Sequence, residues 1–116
     1  MHPDNIGKQF EKPTALTASQ ILATHSLSDW APNASEDITG KTPPKSKRGF
    51  INRRLDHVMK NNPDLVRDII HNGVKNPVTV SWTNGSPTLE DGHDRVIIAH
   101  TYRPNDAIPI TNVDRP

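Results

Sequence analysis

One hundred and sixteen residues suffice for one small domain with a modest core. With 32% hydrophobic and 4% aromatic residues against 11 prolines, the composition predicts a compact part joined to flexible segments. A net charge of +1 argues against nucleic-acid binding by bulk electrostatics, and the lack of cysteine excludes disulfides, thiol catalysis and Cys-type zinc sites.

Met1 to Thr14 is polar, carries two prolines and reads as a flexible tail before a domain over 15–116. It lacks the apolar stretch of a signal peptide, and no apolar run approaches membrane-spanning length. The expectation is a soluble, cytoplasmic protein with no membrane contact. The first apolar cluster is Leu16, Ile21, Leu22, Leu27 and Trp30. Thr17 or Ser19 can cap a short helix here, while His25-Ser26-Leu27 can equally be a strand. Residues 31–48 hold a single strong hydrophobe and a Pro-Pro pair, and are expected to form a long, mobile polar loop. Its end is basic: Lys45, Lys47 and Arg48, followed by Arg53 and Arg54, form a candidate anion-facing patch.

From Phe50 the pattern becomes regular. Ile51, Leu55, Val58 and Met59 form one stripe of an amphipathic helix over 51–60. Asn62-Pro63 supplies an N-cap and a proline at the first position of a second helix, 63–72. Leu65, Ile69 and Ile70 face inward, and Gly73 stops the helix. The period then changes to two. Val78, Val80 and Trp82 share one face of a strand, Asn84-Gly85 is a hairpin turn signal, and a second strand runs through 87–90. Residues 107–111 read as an edge strand, because Pro109 cannot donate to a ladder.

Between these strands lies LEDGHDRVIIAHTY, Leu89 to Tyr102, the densest group of ionisable residues beside an apolar block. If Val96–Ala99 is helical, the free N–H groups of its first turn point back over Gly92 and favour an anion, and Arg95 adds a fork suited to phosphate. The plain alternative keeps Val-Ile-Ile as a buried strand behind an Asp-Gly hairpin turn. As a helix without a ligand, the segment would have Asp91 as its cap, Asp94 in the first turn and His93 exposed.

The order of these parts, and Asn72-Gly73-Val74-Lys75-Asn76-Pro77-Val78, Asp91-Gly92-His93-Asp94-Arg95 and Ile108-Pro109-Ile110 within it, resembles the ParB/sulfiredoxin-type domain, over roughly 24–113. Ser26-Leu27-Ser28-Asp29-Trp30 looks like that family's opening strand and turn, and Asn52-Arg53-Arg54 takes the place of its Asn/Arg loop. The resemblance implies an α+β fold in which a small mixed sheet packs with helices. It implies that Gly92, Arg95, Asn52, Arg53 and Arg54 hold the phosphates of a nucleotide, CTP or ATP, or of DNA. Partition-type members carry Glu and a second Arg where this chain has His93 and Asp94. Without a helix-turn-helix following, sequence-specific DNA binding of that type is not expected. Sulfiredoxin-like members need Cys at the position of His93, which excludes their reductase chemistry here.

Nuclease activity is attributed to other members. For a nuclease or nucleotide hydrolase, His93 and Asp94 would be the catalytic pair, Glu90 and Asp91 ligands for Mg, and Arg95 a clamp on the scissile phosphate. Small stand-alone members occur in phages and mobile elements. The alternative to ligand binding is therefore a non-enzymatic interaction module on a degenerate nucleotide fold, acting for example on a host protein.

Overall fold

The computed structural model describes residues 12–115, so residues 1–11 of the expected tail lie outside the described residues. Thr17 closes a capping box with Gln20: its hydroxyl accepts the Gln20 N–H, and the Gln20 side chain accepts the Thr17 N–H. That settles the first cluster as a short strand β1, Ala15–Thr17, a helix α1, Ala18–Thr24, and a two-residue strand β2, Ser26–Leu27.

No helix or strand forms between β2 and the next helix, α2, Lys47–Asn61, which Ser46 caps through the Gly49 N–H. The loop is nonetheless tied down. Trp30 Nε1 donates to Pro44 O, and Lys45 Nζ donates to Pro32 O. Helix α2 begins before the expected residue 51, taking Lys47 and Arg48 out of the loop, and of the expected stripe Val58 is buried while Ile51 and Leu55 pack against the core. Phe50, Arg54 and Val58 are its buried residues, while Met59 is exposed. Helix α3, Pro63–Asn72, follows the expected signals: Asn62 caps it, and Gly73 ends it at φ 73°, in the region that favours glycine.

Strands β3, Val78–Thr83, and β4, Ser86–Asp91, form the hairpin that Asn84-Gly85 announces, with both turn residues at positive φ (51° and 79°) as a type I′ turn requires. Helix α4, His93–Tyr102, leads to β5, Ala107–Asp114. The five strands make one mixed sheet in the order β1-β5-β3-β4-β2. Strand β5 is therefore interior, not the expected edge. The proline is accommodated by register: the parallel ladder with β3 starts at Ile110, one residue past Pro109, and the other neighbour is only the short β1.

Helix α4 is the centre of the molecule. Val96, Ile97, Ile98 and Ala99 are all buried, and α1, α2 and α3 all pack against it. Four consecutive buried residues leave no polar face, so the segment carries no amphipathic pattern, which explains its ambiguity in sequence. Val78, Val80, Leu89, Ile108 and Ile110 from the sheet join the helical residues in one core. The architecture is thus mixed α and β, four helices with a five-stranded mixed sheet among the described residues. No described helix is long and apolar enough to cross a membrane.

Candidate functional site

The site is assembled where β4 passes into α4. Gly92 makes that passage at φ 101°, and a Cβ placed there would lie 2.5 Å from Val78 Cγ1. Glycine is therefore demanded twice, by the backbone and by the adjoining strand. The first intrahelical bond of α4 runs from the Val96 N–H to Gly92 O, so the amides of His93, Asp94 and Arg95 precede the ladder. No side chain caps this helix. The Asp91 carboxylate, expected as the cap, instead lies 3.4 Å from Arg95 Nη2.

A cleft of about 320 Å³ opens over this turn. Arg54 reaches into its wall from α2. The guanidinium sits 5.1 Å over the Phe50 ring, and its Nη1 donates to Asp29 Oδ2 at 3.1 Å and to Asp94 Oδ1 at 3.2 Å. The side chain is 7% exposed, and Nε is buried without a hydrogen-bond partner. A buried donor left unsatisfied is costly.

His93 is buried as well, not exposed. Its Nε2 accepts the Asp29 N–H at 3.3 Å, and Nδ1 faces Asp29 Oδ2 at 3.3 Å. The backbone donor fixes the neutral tautomer with its proton on Nδ1. Burial, the dominant influence, pushes the imidazole pKa down, against the opposing pull of Asp29. A general base needs a free lone pair turned towards its substrate, and the Asp29 amide already occupies this one. Asp94, expected beside His93 as its catalytic partner, accepts from Arg54.

The remaining expected residues divide. Gly92, Asp94, Arg95, Arg54, Glu90 and Asp91 do line the cleft with His93. Arg53 lines a different groove, and Asn52 is exposed on α2 away from the cleft lining. The basic patch does not exist as one surface. Lys47 donates to Leu22 O and His25 O, and Lys45 and Arg53 are likewise bound to loop carbonyls. Glu90 accepts a bond from the buried Ser81 hydroxyl at 2.7 Å, and among the described residues no three His, Asp or Glu side chains are grouped to hold a metal. Glu90 sits at the irregularity where the β3–β4 register shifts from Thr79–Asp91 to Val80–Leu89, and both it and Asp91 line the cleft.

Arg95 also acts as a staple: Nη1 donates to Asn76 O and Pro77 O, holding the start of β3. Sequence reading missed Asp29, which organises both Arg54 and His93, because nothing in a turn residue next to Trp30 signals partners 25 and 64 positions away. It also missed Leu65 as the apolar wall shared with a second cleft, of about 430 Å³, to which Arg95, Lys75 and Asn76 contribute.

His25 repeats the buried-imidazole theme: Nε2 lacks a partner, the ring stands edge-on to Trp82, and burial first, then Lys47, lowers its pKa. With the folded pKa of both histidines depressed, the unfolded chain binds more protons below about pH 6.5. Their stabilisation is complete above that value and declines as pH falls through it, by at most about 1.4 kcal/mol per pH unit for each group. Urea midpoints should fall between pH about 7.5 and about 5.5, and His25→Asn should flatten that dependence. A midpoint that stays level or rises on acidification would contradict the buried neutral state. No family model, curated protein or solved structure matches this chain.

Proposed function

We propose that the chain is a ParB/sulfiredoxin-type binding module that takes a phosphate-bearing ligand, a nucleotide such as CTP or ATP, at the Gly92–Arg95 turn and does not turn it over. One observation carries the reading: the Arg54 guanidinium and an uncapped helix start line the same cleft, so a fixed cation and the first amides of a helix share one space. The four carboxylates of the lining outnumber its two guanidiniums, but each has a near partner. Asp29 and Asp94 hold Arg54 in place, Glu90 takes the Ser81 hydroxyl and Asp91 lies by Arg95. Their excess disfavours a long polyanion, which makes a nucleotide a better ligand than DNA. The second cleft, which shares Leu65 and Arg95 with the first, lies next to it as room for the rest of such a molecule.

The test is calorimetric titration with CTP, ATP, GTP and inorganic phosphate, with and without Mg, on the wild type and Asp94→Asn. The substitution removes a negative charge 3.2 Å from Arg54 Nη1. It should tighten binding roughly threefold to tenfold, the ~1 kcal/mol scale of a half-exposed charge pair. Failure of every nucleotide with both proteins would leave the protein-interaction module as the reading. Metal-dependent cleavage of DNA or nucleotide would overturn the non-catalytic half.

A further inference from the structure

A second built surface lies along α2, away from the Arg54 cleft. The loop from Asp37 to Thr42 is locked by its own bonds: the Asp37 N–H donates to Lys41 O, the Gly40 N–H to Asp37 O, and the Thr39 N–H to the Asp37 carboxylate. Arg53 ties it to the helix, donating to Asp37 Oδ2 at 2.9 Å and to Thr42 O. The Thr39 hydroxyl, more than Arg53, holds the Asp37 carboxyl far below the usual carboxylate range, so the tie persists in mild acid.

This locked loop presents Ile38 to water at 61% exposure, the highest among the large hydrophobic side chains described. Beside it runs a groove of about 390 Å³ in which Lys41, Arg53 and Lys60 face a single acid, Asp56. Arg53 is occupied by Asp37, which leaves the Lys41 and Lys60 ammonium groups for a partner. A rigid aliphatic knob flanked by cations complements a chain that has both a hydrophobic side chain and negative charge. Nucleic acid would leave Ile38 unused, and a two-fold pair of this surface would set its own lysines against each other. We infer that this groove docks an acidic peptide segment carrying an aliphatic anchor residue, independently of the Arg54 cleft.

The test starts from a random dodecapeptide library selected on the immobilised full chain. A selected peptide is then labelled for fluorescence anisotropy and mapped by amide NMR shifts. Selected peptides should be rich in Asp and Glu with one Ile, Leu or Val, and should shift Ile38, Lys41 and Lys60. The Lys41→Glu, Lys60→Glu double variant should weaken binding about tenfold or more with a reduced salt dependence, and Ile38→Ser about threefold to tenfold. Both variants alter exposed side chains, and unchanged thermal melting checks that they fold. Peptides without acidic enrichment, shifts confined to the Arg54 cleft, or tighter binding of an oligothymidylate of matching length would each overturn the inference.

Discussion

Gly92→Ala is expected to cost about 2–5 kcal/mol of folding stability, a large share of the 5–15 kcal/mol typical of a domain. Two terms add. A side chain in the left-handed region costs ~1–2 kcal/mol, and Gly92 sits at φ 101°. The new Cβ would also meet Val78 Cγ1 at 2.5 Å and Val78 Cβ at 2.9 Å, an overpacking of about 1–3 kcal/mol, because Val78 is itself buried in the sheet. Gly85→Ala is the control: at φ 79° it has nothing within 4 Å of a Cβ, so only the first term applies. Urea unfolding followed by circular dichroism should separate the two variants clearly. Val78→Ala should recover part of the loss in the Gly92→Ala background, a favourable coupling that a double-mutant cycle reads directly. Equal losses at Gly92 and Gly85, with no such coupling, would remove the steric argument and with it the account of why the β4–α4 passage needs glycine.

The second large effect is on binding. Arg54→Met keeps an unbranched side chain over Phe50 but removes the charge, and should lower nucleotide affinity about tenfold to a hundredfold, the 1.5–3 kcal/mol of a charge-assisted hydrogen bond. Stability should change by only ~1 kcal/mol. Replacing a buried ion-pair member by an apolar group of similar volume is often near neutral, and the abandoned Asp29 and Asp94 side chains, 44% and 40% exposed, can rehydrate. Arg95→Met should behave differently. Its bonds to Asn76 O and Pro77 O anchor the start of β3, so that variant should lose stability together with affinity. Calorimetric titration paired with thermal melting distinguishes the two. Unchanged nucleotide affinity in Arg54→Met would end the assignment of the cleft to a phosphate.

Asp29 shows why the cleft was only half legible beforehand. The turn itself stands in consecutive residues, Asp91-Gly92-His93-Asp94-Arg95, where a glycine between strand and helix is a local event. The network that gives the turn its character is not local. Arg54 meets Asp29 across 25 residues and Asp94 across 40, and His93 meets Asp29 across 64. Burial of these groups turned an expected base into a neutral, doubly engaged ring, and two members of an expected basic patch, Lys47 and Arg53, into staples for backbone carbonyls.

The same division runs through the fold. The Asn62 cap, the Gly73 stop, the change of period before β3 and the Asn84-Gly85 hairpin were determined by the sequence alone, because each rests on backbone preferences within a few residues. Three features were decided only by tertiary structure: the burial of Arg54 on α2, the interior place of β5 despite Pro109, and the burial of the Val96–Ala99 turn of α4. Charge and hydrophobicity specify what a side chain needs, and the packed fold specifies which distant group supplies it. A buried arginine and an exposed one have the same signature in sequence until the carboxylates that compensate the first are brought to it.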